Sequence, residues 1–450
     1  MSKVFDAAEL IREKAKNGSR SFAIIKILIA GYMPTLEEWE QALAAPRRVQ
    51  VESSSNLLEE VRQQHKKKDA KRQQDGQPIP ARKNNLTVVP AFSPEKYVEI
   101  IPAYMLNRLG VVTTPAIENL ADICSTWAYF RYLWAFEILP PNIKKPVLRL
   151  SQAARQIDFH QKGLLSDQIG VGMAAVLLGA YLDAPLAADV TVAMDDPTWP
   201  IELQYDTSPD YLFFNATQTK LFIVECKGTQ TTRASSLDQL RRGTEQVPSL
   251  TFTDGRTPPS LVVATCLSKS GTRILVIDPP GEDQPKHLER TERVAQREWR
   301  VRNDVEFARG TRLISEAKVL SFAGADEAAA SKIEGVRKRI PAMPKIQPRE
   351  SEIRENEFGT FKGTHQRIGM RDRFNIDLFQ ALDTTVLEGL ISDEPAQIDE
   401  QMRTFQNRLS AISAKTKKAQ PVSVIHQKGT LIVRTAGPDG SLLEVQVSPP

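Results

Sequence analysis

Asp210, Glu225 and Lys227 are the residues of this chain whose types and spacing could do chemistry together. They lie in SPDYLFFNATQTKLFIVECKGT, Ser208 to Thr229, where two apolar runs flank a polar stretch around Thr217 and Gln218. That pattern reads as two strands joined by a hairpin. Glu225 and Lys227 are two residues apart, so on a strand they share a face. In an antiparallel pair the numbers of opposed residues add to a constant, and a loop of even length makes that constant odd. Asp210 then faces Glu225 or Lys227. Direct and diagonal cross-strand neighbours on one face are about 5–8 Å apart, and two carboxylates at 5 Å repel by roughly 3 kcal/mol at an effective dielectric of about 20. A cation relieves this repulsion. Mg²⁺ suits the site because it takes one or two protein carboxylates, keeps several waters and completes its shell with phosphate oxygens; Mn²⁺ is the expected substitute. Such an ion acidifies a water, while the Lys227 ammonium orients that water or neutralises an equatorial phosphoryl oxygen. The competing reading is a cross-strand ion pair worth about 0.2–1 kcal/mol. Against it, Leu221, Phe222, Ile223 and Val224 are apolar on both faces, as in a central strand, where charges are seldom placed without a task.

Pro209 and Asp210, with Glu225, Cys226 and Lys227 further on, resemble the two halves of the signature of the PD-(D/E)XK phosphodiesterase superfamily of restriction-type nucleases, Cys226 standing at the variable position. The order helix, three strands, helix, strand from about Leu165 to Asp278 also resembles that family's core. The resemblance implies an α/β (α+β) fold with a restriction endonuclease-like core, a mixed central sheet flanked by helices. It implies metal ligation by Asp210, Glu225 and the Cys226 carbonyl, with Lys227 as the catalytic lysine. A further acid on the first core helix would be Asp167, in LLSDQIG; the alternative is a first-turn residue behind an N-cap at Ser166. The activity so implied is Mg²⁺-dependent hydrolysis of nucleic acid to a 5′-phosphate, endonucleolytic and with DNA favoured over RNA. By analogy the setting would be defence against foreign DNA. The alternative is a nuclease-fold protein without turnover that binds nucleic acid or serves as an assembly subunit.

The segment SSLDQLRRGTEQVPSL carries Leu237, Leu240, Val247 and Leu250 at helical spacing and should lie across the sheet. Gln239, Arg242 and Gln246 fall at i, i+3 and i+7 as one polar stripe, and Arg233 stands at the mouth of the preceding loop. All four either touch substrate phosphates or face solvent. Cys226 should point into the sheet core as a small hydrophobe. The five histidines are scattered, and the chain has no HExxH, no GxSxG and no GxxxxGK[ST].

The elements that must position these residues belong to a chain of 450 residues, long enough for two or three compact units. Apolar stretches at Ser21–Met33 and Ile169–Leu182 fall short of a bilayer span, the N-terminal residues do not read as an export signal, and three cysteines far apart fit a reducing compartment. A cytoplasmic protein with no membrane partner is expected. Residues 1–45 read as a helical module, in which Thr35 and Glu38 have the spacing of a capping box. From Arg47 to Lys83 there are ten basic against five acidic residues, a surplus of 5, and few apolar ones, so 46–92 reads as a basic flexible linker. Residues 93–163 read as helical and aromatic-rich, with Trp127, Tyr129, Phe130, Tyr132, Trp134 and Phe136 in one run, a candidate core helix or a surface for a homo-oligomer or partner protein. The nuclease-like core is expected at 164–283, where ADVTVAM, DYLFFNA, LFIVEC, LVVATC and RILVI read as strands. A charged helical region and linker follow at 284–345, and an α+β module at 346–450 with two helices and a terminal hairpin, TLIVR and SLLEVQV, around Gly437–Gly440.

Overall fold

The computed structural model describes residues 35–80, 82, 85–116, 132, 133, 135–137, 146–194, 201–203, 207–218, 220–252, 259–279, 305–334, 350–370, 374–392, 394–416 and 418–449. The chain begins with α1 (Leu36–Leu43), β1 (Arg47–Glu52), α2 (Ser55–Gln74), β2 (Glu95–Ile100) and α3 (Pro102–Thr113). Next come α4 (Gln152–Gln156), the long α5 (Phe159–Tyr181), β3 (Leu186–Asp189), α6 (Val190–Met194), β4 (Ile201–Leu203), β5 (Tyr211–Phe214), β6 (Leu221–Thr229) and α7 (Arg233–Gln246). They are followed by β7 (Leu250–Phe252), β8 (Ser260–Ser268), β9 (Gly271–Ile277), α8 (Val305–Phe322) and α9 (Asp326–Glu334). The C-terminal part holds β10 (Glu352–Asn356), β11 (Gly359–Met370), β12 (Phe374–Asp383), α10 (Thr384–Ser392), α11 (Pro395–Thr416), β13 (Val422–Gln427), β14 (Thr430–Ala436) and β15 (Ser441–Ser448).

The protein is mixed α/β. A seven-stranded sheet runs β2-β1-β9-β8-β6-β5-β3, and only its β6–β8 and β1–β9 pairs are parallel. LFIVEC and LVVATC lie in its interior strands β6 and β8, where an almost unbroken apolar run is what burial on both faces requires. α5 covers one face: a Cβ on Gly228 would strike the Ser166 carbonyl. α7 covers the other, since a Cβ on Gly243 would meet the Val262 and Glu225 side chains. Leu237, Leu240 and Val247 are buried beneath α7, as their spacing predicts. By length and composition α5 could cross a bilayer, but 67% of its apolar window is packed inside the protein, as in a core helix.

Several expectations are corrected. The stretch 46–92 is not a linker. RRVQVE is β1, with Val49 and Val51 buried, and α2 buries Leu57, Leu58, Val61 and His65 while its lysines face solvent. A few apolar residues confined to one side suffice to dock a helix that is otherwise polar. The 93–163 region, read as helical, supplies β2, so the core sheet reaches well outside 164–283. VTVAM forms α6 rather than a strand. Tyr132 and Phe136 of the aromatic run are buried; Trp127, Tyr129, Phe130 and Trp134 lie outside the described residues, as do residues 1–34, 280–304 and 335–349. At α1 the capping box is formed: Thr35 Oγ1 accepts from the Glu38 N–H at 3.2 Å, and Glu38 Oε2 from the Thr35 N–H at 2.9 Å.

The C-terminal half forms a second sheet, β10-β11-β12-β15-β14-β13, antiparallel throughout, in which β14 and β15 make the expected hairpin. α3 fixes it to the first half. Arg108, 1% exposed, donates to Asp439 Oδ2 and to the Pro185 carbonyl, both at 2.7 Å, and Asn107 donates to the Thr435 carbonyl. Gln420 accepts from the Ile101 N–H and donates to the Glu99 carbonyl. Arg108, Asn107 and Gln420 thus each find a partner across the junction, which specifies one docking geometry.

Candidate active site

β5 and β6 pair from Tyr211↔Val224 to Phe214↔Leu221, and one further step along this register sets Asp210 level with Glu225, as the odd sum requires. β5 ends there, whereas β6 continues beside β8 with Glu225↔Val262 and Lys227↔Ala264. Asp210 bends across the vacated edge, and its Oδ2 accepts the Cys226 N–H at 2.8 Å. Glu225 is wholly buried. The Lys227 ammonium closes on its Oε1, and the Asp210 N–H turns to the same carboxylate.

Asp167 joins this group from α5. It is not a first-turn residue: the helix starts at Phe159, where Asp158 caps the His160 and Gln161 N–H groups at 2.9 and 3.1 Å, and Ser166 donates to the Lys162 carbonyl. Two glycines bring Asp167 to β6. Gly228 lets the backbone at Ser166 and Asp167 cross directly over the strand, and a Cβ on Gly170 would stand 3.0 Å from the Lys227 carbonyl. The Gly228 N–H turns to the Asp167 carboxylate. Sequence reasoning missed both glycines, although a glycine directly behind the lysine of a central strand is the mark of such a close approach.

Burial and the neighbouring Asp210 charge push the Glu225 carboxyl up to about 8; Lys227 and the Asp210 N–H act against them without prevailing. Burial likewise raises Asp210, which Asp167 reinforces, and it raises Asp167 itself. Burial would lower Lys227, but the Glu225, Asp210 and Asp167 carboxylates overcome it and hold the ammonium above its usual range. Among the described residues, three carboxyls therefore share one positive charge. On the opposite face of β6 the Cys226 thiol is buried in the core and pushed well up by desolvation, which makes it an inert hydrophobe as expected.

The four substrate-binding candidates do not form a common surface. Gln239 turns inward, where Nε2 donates to the Gly228 carbonyl at 2.8 Å and Oε1 is buried without a partner. Arg242 turns outward, 62% exposed, and pairs with Asp238 at 3.1 Å, so the proposed stripe is split. Gln246 closes the C-terminus of α7. Arg233 is held between Glu52, at 2.9 Å, and Glu60, which engages its guanidinium within the protein. His65 lies on the buried side of α2 as a core histidine whose Nδ1 makes no hydrogen bond among the described residues. It meets Thr244 Oγ1 at 2.8 Å, and burial with the Arg82 charge lowers it to about 4.

Oxygen donors of this kind suit a hard cation, and the three raised carboxyls, the buried Glu225 among them, are what a second positive charge would relieve. Among the described residues, however, no three His, Cys, Asp or Glu side chains converge as a ready metal cage. Comparison of the chain with models of known protein families, with curated proteins and with solved structures returned no match.

Proposed function

We propose that the protein is a metal-dependent nuclease that hydrolyses phosphodiester bonds, of DNA in preference to RNA, in the cytoplasm and in defence against foreign DNA. One observation carries the reading. A central strand buries Glu225 beside Asp210 and Asp167, and among the described residues Lys227 is the one cation acting on these three acids. Ionising all three acids inside the sheet would destabilise the fold unless a ligand compensates them. Supporting it are the likeness to the PD-(D/E)XK signature and the arrangement of hairpin β5–β6 and crossover β6–α7–β8, with helices on opposite faces, which fits a restriction endonuclease-like core.

Asp210, Glu225 and the Cys226 carbonyl would hold Mg²⁺, with Asp167 beside them. When bound, the ion would supply Lewis acidity toward the phosphate and acidify a water. Lys227, kept protonated by its neighbours, is a fixed positive charge for a non-bridging oxygen of the scissile phosphate rather than a general base. Asp210 also anchors the edge of β6 through the Cys226 N–H, so it keeps the site's backbone in place.

The test is incubation of the purified protein with linear, circular and single-stranded DNA and with RNA, in Mg²⁺, Mn²⁺ or EDTA. Asp210→Ala, Glu225→Ala and Lys227→Ala should each lose cleavage while remaining folded. Metal-dependent cutting retained in all three variants, or none by the wild type on any substrate, overturns the proposal. A second reading, a nucleic-acid-binding or assembly subunit without turnover, is favoured by the ion pair that Lys227 already makes with Glu225. It expects no calorimetric Mg²⁺ or Mn²⁺ site dependent on both acids.

A further inference from the structure

The sheet face that carries Glu225 and Lys227 holds a second polar feature beyond the N-terminus of α7. The strand registers align Thr229 (β6), Cys266 (β8), Arg273 (β9), Gln50 (β1) and Tyr97 (β2) in one row across five strands. This row lies two residues past that of Lys227. Over it opens a cavity of about 250 Å³ to which Ser268, Thr272 and Arg233 also contribute walls. With strands spaced about 4.8 Å and residues rising about 3.3 Å, the Arg273 backbone is about 12 Å from that of Lys227, so one bound strand could reach both.

Two groups in the cavity have capacity to spare. Tyr97 is 51% exposed, with the Arg48 guanidinium 3.9 Å from its ring centroid on one face. Arg273 uses Nε on Gln50 Oε1 at 2.8 Å, and its terminal nitrogens make no hydrogen bond among the described residues. Gln50 is fully engaged, since its Nε2 donates to Glu95. An exposed ring stiffened by a guanidinium and a free guanidinium fork, in a space of this size, match one planar base with its phosphate and are too small for a duplex.

We propose that this cavity receives an unpaired nucleotide of the substrate strand close to the scissile phosphate, its base on Tyr97 and its phosphate on Arg273. The role of that nucleotide in cleavage rests on the nuclease reading, but the site is read by binding alone. The experiment measures fluorescence anisotropy of a short labelled single-stranded DNA in EDTA, with the matching duplex as second probe, for the full chain and three variants. Tyr97→Ala should weaken single-strand binding about tenfold or more, Tyr97→Phe should bind within about twofold of wild type, and Arg273→Gln should reduce the salt dependence by about one ion. Thermal melting checks that the three variants stay folded.

Unchanged affinity in Tyr97→Ala, equal losses in Tyr97→Ala and Tyr97→Phe, duplex bound in preference to single strand, or no single-strand binding at all overturns the proposal. Cleavage assays in Mg²⁺ on the same proteins separate the two readings. Tyr97-dependent binding without cleavage by the wild type removes the nuclease and leaves the nucleotide site. Cleavage by Tyr97→Ala with unchanged KM and binding does the reverse.

Discussion

Glu225 on β6 and Glu444 on β15 are both buried glutamates in interior strands, at 0% and 1% exposure, and they are treated in opposite ways. Glu444 receives Arg434 across the β14–β15 ladder, Arg354 from beyond, and the Gln446 amide at 2.6 Å. Burial alone would raise its carboxyl, but the Arg434 and Gln446 hydrogen bonds and the two guanidinium charges hold it below the ordinary range. Glu225 has one ammonium and an adjacent aspartate, and it rises to about 8. A buried charge kept for structure is surrounded until its lone pairs are filled. One kept for binding is left short, because the missing partner is the ligand. By this measure the C-terminal sheet is scaffold and the edge of β6 is the candidate site.

The largest effect should come from breaking the satisfied network. Arg434→Ala leaves Glu444 buried with Arg354 and Gln446 only, and should cost about 3–5 kcal/mol in urea unfolding; a loss below about 1 kcal/mol would place Glu444 in the same class as Glu225. Next is Gly228→Ala. Its methyl meets the Ser166 backbone, so α5 must move off β6 and carry Asp167 with it. A destabilisation of about 1–3 kcal/mol, together with loss of cleavage, is expected by melting and nuclease assay. Retention of both would mean that Asp167 does not need its present position.

Glu225→Gln should have the opposite sign. The folded carboxyl at about 8 lies above its ordinary value near 4.5, so its proton stabilises the fold fully below about pH 4.5, and this contribution is lost as pH rises through 8. In metal-free protein the glutamine variant should therefore melt like wild type at pH 5 and be the more stable at pH 8, by on the order of 2 kcal/mol. Equal melting at both pH values would show that Glu225 is ionised and satisfied after all. Glu444→Gln, tested beside it, should be destabilised at pH 8.

The site was more legible than its surroundings. Apolar runs on both faces, a polar turn of even length and the alternation of Glu225 with Lys227 fix the hairpin and its register, because side-chain period and strand pairing are local properties. β1 and α2 were hidden for a converse reason. RRVQVE presents its two buried valines between charges, and α2 needs only Leu57, Leu58, Val61 and His65 inside, so composition over the whole stretch obscured a short buried stripe. Asp167 was placed on the correct helix but in the wrong turn, since Asp158 and Ser166 are both competent caps and only the packing of Gly228 on α5 decides between them. The split of Gln239 from Arg242 follows from how α7 tilts over β6, which helical spacing alone does not contain.

The smallest expected effect discriminates most finely between the two glutamates. With its carboxyl at about 8, Glu225 is largely protonated at pH 7, so a divalent ion that binds there must displace that proton. Calorimetric titration with Mg²⁺ in two buffers of different ionisation enthalpy should show close to one proton released per ion at pH 7 and little at pH 9. Affinity should strengthen by up to about tenfold, about 1.4 kcal/mol, per pH unit between 6 and 8. Glu225→Gln should remove the proton release, while Glu444→Gln should leave it untouched because that carboxyl is already ionised among its arginines. Binding without proton release would mean that the ion sits on Asp210 and Asp167 alone and that Glu225 serves only to hold Lys227.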